Sequence, residues 1–302
     1  MVIKKRRGSA IKPPIQDKVF DGINTTILLL LVIVFSYPLI YVISASFSSP
    51  FAVTSGKVWL WPVEFTTEGY EAVVQYDGIW LGYRNSIFYA SVGTVISVAL
   101  TLMVGYALSR KDLKGRGLIT FLFAFTMMFR GGIIPEYLVV RQLGMLDTVW
   151  AILLPNAIAV FNVVITRTFF QVTIPNELLE ASRLDGATDF QFIWRVVLPL
   201  SKAIIAVITL FYAVQQWNMY FQALIYLSSE HLFPLQIFLR EALIQNESLI
   251  QDMDVEAQLR LQDLQDLMRY AIIIVATIPV LIIYPFVQKY FVRGVMIGAI
   301  KG

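Results

Sequence analysis

The chain carries few of the residue constellations that do chemistry. It has no Cys, and His231 is its single His, so a disulfide framework and a His/Cys metal cluster are both excluded. No G-x-x-x-x-G-K-[ST], H-E-x-x-H or G-x-S-x-G pattern occurs. ATP hydrolysis on a phosphate loop, zinc-dependent proteolysis and serine-nucleophile chemistry are therefore not expected, nor is any catalytic residue, cofactor or metal. One polar stretch stands apart. Residues 180–200 read EASRLDGATDFQFIWRVVLPL and lie between two long apolar runs. Their chemistry is that of docking. Glu180 and Arg183 offer charge for pairing, Ala181 and Ser182 form a small-sided patch that a partner can approach, and Asp185-Gly186 supplies a sharp turn.

The elements that position these residues follow from the same stretch. Pro175 suits the first turn of a helix, where its missing N–H costs nothing. A helix from Pro175 to about Leu184 would carry Glu177 and Glu180 near its N-terminus, where the dipole favours carboxylates. Thr188, with Gln191 three residues on, matches a capping box that starts a second helix. Phe192, Ile193, Val196 and Val197 would form its apolar face, and Pro199 marks the start of the next apolar run. The reading is two short helices about a bend fixed by Gly186.

The surroundings are those of a membrane protein. Of 302 residues, 57% are hydrophobic and only 15% charged, and the mean hydropathy is +0.68; this balance belongs to membrane chains. Six candidate spans can be read, with apolar segments at 23–47, 85–109, 118–129, 148–166, 203–229 and 270–288. The first follows KKRRG at 4–8 and reads as a retained signal anchor. The third is short, and can continue past Gly131-Gly132 towards Val140 with a break near Pro135; interrupted helices of this kind line cavities. With both termini on the cytoplasmic side, the inside segments hold 17 Lys/Arg and the outside segments 7, as the positive-inside rule requires. The 175–200 loop then faces the cytoplasm. The outer segments hold 14 Asp/Glu. In the largest, 230–269, Val255, Leu259, Leu264, Leu267 and Met268 recur at helical spacing, as in an amphipathic helix that serves either as a docking surface or as a lid on the bundle. No acidic or His group lies in the middle of a span, which points to a transport path powered from elsewhere.

The spacing Glu180-Ala181-Ser182, three residues, Gly186, nine residues, Val196, one residue, Leu198-Pro199 resembles the EAA signature of the membrane subunits of bacterial ABC importers. Ser182 stands for the second Ala and Val196 for an Ile. The short third span followed by GGIIPEYLVVRQLGMLDT, WNMY late in span five, and the C-terminal FVQKYFVRGVMIGAIKG extend the likeness to maltose-type carbohydrate permeases over nearly the whole chain. The resemblance implies an all-α membrane protein of six transmembrane helices, with a type I ABC importer permease fold and a cytoplasmic coupling helix. It implies a cytoplasmic N-terminal segment 1–22, a permease domain 23–293 and a cytoplasmic tail 294–302. Glu180, Ala181, Ser182, Arg183, Asp185, Gly186 and Pro199 would then form the ATPase-coupling set, with Glu180 pairing with a basic group on the ATPase and Gly186 making the turn. Lys301-Gly302 is a second point that can reach the nucleotide interface. The implied partners are a second permease, two ATP-binding cassette ATPase subunits, an external sugar-binding protein and membrane lipid, with no nucleic acid, in a bacterial cell membrane. Sugars bind by aromatic stacking and hydrogen bonds, and Tyr212, Gln215, Gln216, Trp217, Asn218 and Tyr220, with Asn156 and Asn162 of span four, are the candidate sugar path. The segment 246–260 is longer and more acidic than the maltose-type pattern. The signature does not define the cargo: another polar solute satisfies it equally, and an ion-coupled carrier is the more distant alternative.

Overall fold

The computed structural model describes residues 14–244, 263 and 265–285, and every regular element among them is helical. In chain order these are α1 (Ile15–Ser46), α2 (Pro50–Thr54), α3 (Glu68–Gln75), α4 (Asp77–Ser109), α5 (Arg116–Met128), α6 (Ile133–Gln142) and α7 (Val149–Leu153). Then come α8 (Val160–Thr173), α9 (Asn176–Leu184), α10 (Asp189–Phe192), a π turn (Ile193–Val197), α11 (Leu198–Leu200), α12 (Lys202–Trp217), α13 (Phe221–Tyr226) and α14 (Leu235–Ile244). The last described helix is α15 (Gln265–Pro285). Among the described residues, α1, α4 and α15 are each long and apolar enough to cross a membrane, and two bent pairs, α5 with α6 and α10–α11 with α12, pass the same test together.

α1 is 32 residues, or about 48 Å, more than a hydrocarbon core of about 30 Å requires. Its buried residues are Ser44, Ala45 and Ser46, all in the last turn. The rest of its apolar surface is therefore open to lipid or to another chain. Serines then turn the backbone: Ser44 donates to the Leu60 carbonyl (2.7 Å), and the Val63 N–H donates to Ser48 Oγ (3.0 Å).

α4 is the central column. Gly78, Gly82, Ser86, Tyr89, Gly93, Ser97, Thr101, Gly105 and Leu108 are buried along one stripe at three- and four-residue spacing. Small residues at this spacing let backbones come close, which is how helices associate in lipid. α8, α12 and α14 pack on this stripe. The closest approach to backbone is at Gly82, where a Cβ would sit 2.8 Å from Leu235 Cα and 2.8 Å from Phe238 Cδ2. α15 is fastened by the Trp217 indole N–H, which donates to the Ala276 carbonyl (3.2 Å), and by the Tyr83 hydroxyl, which donates to the Val275 carbonyl.

Three expected spans are interrupted, and each interruption has a local cause. The third breaks at Phe129–Gly132, where Gly132 has φ +85° and the chain bends by 117°. The break lies just before Pro135, which sits in the first turn of α6: it has no N–H to give to the carbonyl of Gly131, four residues back, and its ring crowds that group, so a helix cannot run through. The fourth is split between α7 and α8 at Leu154–Ala159, a stretch holding Pro155. The fifth starts with an 82° bend after Leu200 and is interrupted again at Asn218–Tyr220. The outer segment also differs from the expected arrangement. α14, not predicted, folds back on α4 through Leu235, Ile237 and Phe238, each at most 3% exposed. Of the expected amphipathic helix, Leu267 is buried and Met268 partly so, while Val255, Leu259 and Leu264 lie outside the described residues, as do 294–302 and Lys301-Gly302.

Replacing Gly82 by Ala is expected to lower stability by about 1–3 kcal/mol, the cost of overpacking against backbone. Gly22, with nothing within 4 Å of its would-be Cβ, is the control: Gly22→Ala should not lower the unfolding midpoint in detergent, since Ala is the better helix former. Equal midpoints for both variants would refute the close approach at Gly82.

Candidate functional site

The 175–200 segment folds as two helices about a bend, each end built from the residue types present. Pro175 is the N-cap of α9 rather than its first helical residue, with φ −61° and ψ 149°. The far end closes in a Schellman motif. The Ala187 N–H donates to the Ser182 carbonyl (2.9 Å) and the Gly186 N–H to the Arg183 carbonyl (3.1 Å), with Gly186 at φ +75°. Gly is the residue that adopts this left-handed C′ conformation without strain. Two residues on, the Gln191 N–H donates to Thr188 Oγ1 (3.3 Å) and the Thr188 N–H to Gln191 Oε1 (3.0 Å), a complete capping box for α10. Pro199 has no N–H to give to the carbonyl of Arg195 and its ring crowds that group; the turn just before it is widened to a π turn at Ile193–Val197.

The pair is anchored by one apolar cluster. Leu179 of α9, Phe192 and Val197 pack against Phe170 of α8, with Leu102 and Tyr106 of α4 alongside. Ile193 and Val196 join the same cluster, as their spacing predicts. The opposite side is open: Glu180, Ala181, Arg183, Asp185, Gly186 and Pro199 are exposed, and Ser182 is half-buried, donating to the Leu179 carbonyl (2.8 Å). Sequence reasoning passed over three neighbours. Leu184 is 90% exposed, Phe190 73% and Trp194 65%, with the last two rings nearly parallel. Three large apolar side chains are thus left open beside the fixed turn. Their signal was present, since none falls on the buried Phe192–Val196 face.

The residues read as a sugar path do not form one face. The Tyr212 hydroxyl is fully buried, lies 2.6 Å from Thr101 Oγ1, and accepts the Ala159 N–H at 3.0 Å. It thereby satisfies a backbone group freed where the fourth span is broken. Trp217 is turned inward to α15, as described above. Gln216 is 2% exposed, and neither group of its amide has a hydrogen-bond partner; a Cβ on Gly93 would lie 2.7 Å from its Nε2. Asn162 is buried among α8 residues facing the bundle. Gln215 and Asn218, one turn apart, are exposed, Asn218 donating to the Val214 carbonyl (2.9 Å). Tyr220 and Asn156 sit half-buried at the two span interruptions. The cleft between α4, α12 and α15 is lined by Ala90, Leu210, Ala213, Val214 and Pro279 together with Trp217, whose indole N–H is already given to Ala276.

No protein-family model matches the chain. Individual proteins do. It is 40% identical over 287 residues to the polygalacturonan/rhamnogalacturonan transport system permease protein YtcP of Bacillus subtilis, covering 95% of this chain and 100% of the relative. It is 38% identical to the protein LplC of the same organism, over 94% and 96% of the two chains. Among solved structures it resembles a chain in the crystal structure of a bacterial ABC transporter involved in the import of the acidic polysaccharide alginate. The TM-score is 0.83 at 37% identity, covering 93% of this chain and all of that one. The chain belongs to the carbohydrate ABC-transporter permease family. The permease is thus a multi-pass membrane protein, and its relatives are transport subunits rather than enzymes.

The permease holds one further constellation that the sequence reading missed. Asp147, in left-handed backbone at φ 55°, gives its N–H to the Tyr226 carbonyl (2.8 Å). Its carboxylate accepts from the N–H groups of Ser228 (2.9 Å) and Ser229 (2.8 Å) and from Ser229 Oγ (2.5 Å). These donors, the Ser229 hydroxyl foremost, hold its carboxyl below the ordinary range. The clasp joins the turn before α7 to the loop after α13. Asp-Thr before an apolar run reads from sequence as a helix start, and its partners lie some eighty residues away.

Two outcomes follow for the permease. Tyr212→Phe leaves the Ala159 N–H without its acceptor and should cost about 1–3 kcal/mol of stability, with no change in sugar affinity; weakened sugar binding at unchanged stability would return Tyr212 to the path. For Asp147 the folded pKa is depressed, so its contribution is complete above about pH 4 and is lost as the pH falls through the folded value. Asp147→Asn should flatten the acid limb of the thermal midpoint measured between about pH 2.5 and 6; an acid limb identical to that of the parent would exclude the clasp as its source.

Proposed function

We propose that this chain is one of two permease subunits that together form the translocation path of an ATP-driven oligosaccharide importer, and that its 175–200 segment is the coupling element seated in an ATPase subunit. In this reading the bundle has six spans, both termini and the coupling segment are cytoplasmic, and an external binding protein delivers the sugar to the 230–269 side. Family membership supports the assembly. The observation that carries the coupling role is the α9–α10 turn: a Schellman motif and a capping box lock its bend, one apolar cluster anchors its base, and Glu180, Ala181, Gly186 and Leu184 are left open.

A bend fixed in this way moves as a lever. When the ATPase subunits close on ATP, the seated turn is displaced, the π turn and Pro199 carry the displacement to the bend after Leu200, and α12 shifts against α4. The cavity between the two permeases then changes the side to which it opens. Glu180 pairs with a basic group of the ATPase, and Leu184, Phe190 and Trp194 fill its cleft. Within this subunit the sugar contacts narrow to Gln215, Gln216, Asn218, Tyr220, Asn156 and Asn162, because Tyr212 and Trp217 spend their polar atoms inside the bundle. YtcP is named for polygalacturonan and the structural relative's transporter for alginate, both polymers of uronate sugars. The cargo class proposed is therefore an acidic oligosaccharide.

The test is the purified complex with its binding protein. ATPase activity should rise with uronate oligosaccharides and not with neutral ones of the same length; stimulation by neutral sugars alone would move the cargo to that class, and a response to no sugar would leave another polar solute. Glu180→Lys should insert normally and lose co-purifying ATPase. Gly186→Pro, which cannot adopt φ +75°, should abolish transport; full transport by that variant would sink the coupling role.

A further inference from the structure

The coupling turn has a second attachment, at the C-terminal end of α4. The last carbonyls of a helix have no intrahelical partners, and here two arginines from other helices take them. Arg167 of α8 donates Nε–H to the Leu108 carbonyl (3.1 Å), and Arg116 of α5 donates Nη1–H to the Arg110 carbonyl (3.3 Å). The C-terminal end of α4 is thus tied to the start of α5 and the middle of α8. From this junction an alternating chain of charges runs to the turn. Arg110 holds Asp112 through two bonds, Nε–Oδ1 and Nη2–Oδ2, each 3.2 Å. Arg183 Nη2 lies 3.6 Å from Asp112 Oδ2 and 3.4 Å from Asp189 Oδ1. Arg183 is the next-to-last residue of α9 and Asp189 the first of α10, so one guanidinium spans the bend and reaches back to α4.

We propose that Asp112 is a positioning residue for coupling: by holding Arg183 it fixes the orientation of the α9–α10 turn relative to α4. This rests on the coupling role proposed above. The apolar cluster of Phe170, Leu179, Phe192 and Val197 is a single anchor, about which the turn could rock. The Asp112–Arg183 contact is a second, separate anchor, and two anchors define a direction. Both side chains are about half exposed, 53% and 52%, so the pair adds little to folding; its effect is on what the turn transmits. Arg183 thereby works inside the chain, between Asp112 and Asp189, rather than as a free charge for the ATPase. The bidentate grip of Arg110 is the main cause of the lowered Asp112 pKa; an exposed carboxylate is charged at neutral pH in any case.

A double-mutant cycle in the complete reconstituted complex tests this, because a claimed path needs a measured coupling. The readouts are co-purified ATPase and the number of ATP hydrolysed per sugar imported. Asp112→Asn should keep the ATPase bound and raise the ATP-per-sugar ratio by about threefold, the scale of one exposed ion pair. Asp112→Glu should restore the ratio, and Asp112→Asn combined with Arg183→Gln should be no worse than either alone. A parental ratio in Asp112→Asn, additive effects in the double variant, or loss of bound ATPase from Asp112→Asn would each overturn the proposal, the last by making Asp112 a docking residue. If Glu180→Lys also leaves ATPase binding and coupling untouched, it is the coupling role of the whole turn that fails, and the two failures are told apart.

Discussion

A bilayer offers no water to backbone N–H and C=O groups, so any helix broken at membrane depth must find partners for them inside the protein. This permease breaks three of its expected spans, and the rest of its architecture follows from how those groups are satisfied. α4 serves irregular backbone in the same way just beyond the fifth span. Its Asn85 side chain donates to the carbonyls of His231 and Phe233, its Tyr89 hydroxyl to that of Leu232, and its Ser86 hydroxyl accepts the N–H of Leu235. The segment that joins α13 to α14 is held from two sides, by this face of α4 and by the Asp147 clasp at Ser228 and Ser229. Across the bundle, Tyr212 of α12 does the same for Ala159, with Thr101 of α4 behind it.

The same face explains why α4 can be central. A column that meets α8, α12 and α14 in turn needs little side-chain bulk, and its buried stripe alternates Gly with Ser, Thr and a few larger residues. In lipid, association of this kind gains from close packing and hydrogen bonds rather than from burial of apolar area. α1 shows the opposite character. It is apolar all round and almost wholly unburied within the chain, which suits a surface left to lipid and to a second subunit.

Stiffness is distributed with the same logic. The α9–α10 turn is short, exposed and far from regular packing, yet its backbone donors at the bend are paired through the Schellman motif and the capping box. Regular structure is interrupted elsewhere, at the bend after Leu200 and between α5 and α6, α7 and α8, and α12 and α13. A rigid handle joined to a bundle through defined bends is what transmission of a displacement requires.

Much of this could be read from local sequence. The EASRLDG…LP spacing, the Pro175 start, the Gly186 turn and the Thr188–Gln191 cap depend on contacts within about six residues, so residue types alone dictated them. The charge-free runs did the same for the apolar helices, because crossing a membrane is a matter of length and composition. What the sequence left open depends on distant pairs. How sharply the third span bends at Gly131-Gly132, just before Pro135, is one such choice. Tyr212 and Trp217, which have the look of a sugar site, turn inward, because backbone groups and α15 wait for them there. Asp147 reaches Ser229, and Asp112 reaches Arg183, across 82 and 71 positions of chain. Those choices belong to the tertiary structure alone: a polar side chain goes to whichever unsatisfied group the packed helices bring within about 3 Å, and no local pattern encodes which group that will be.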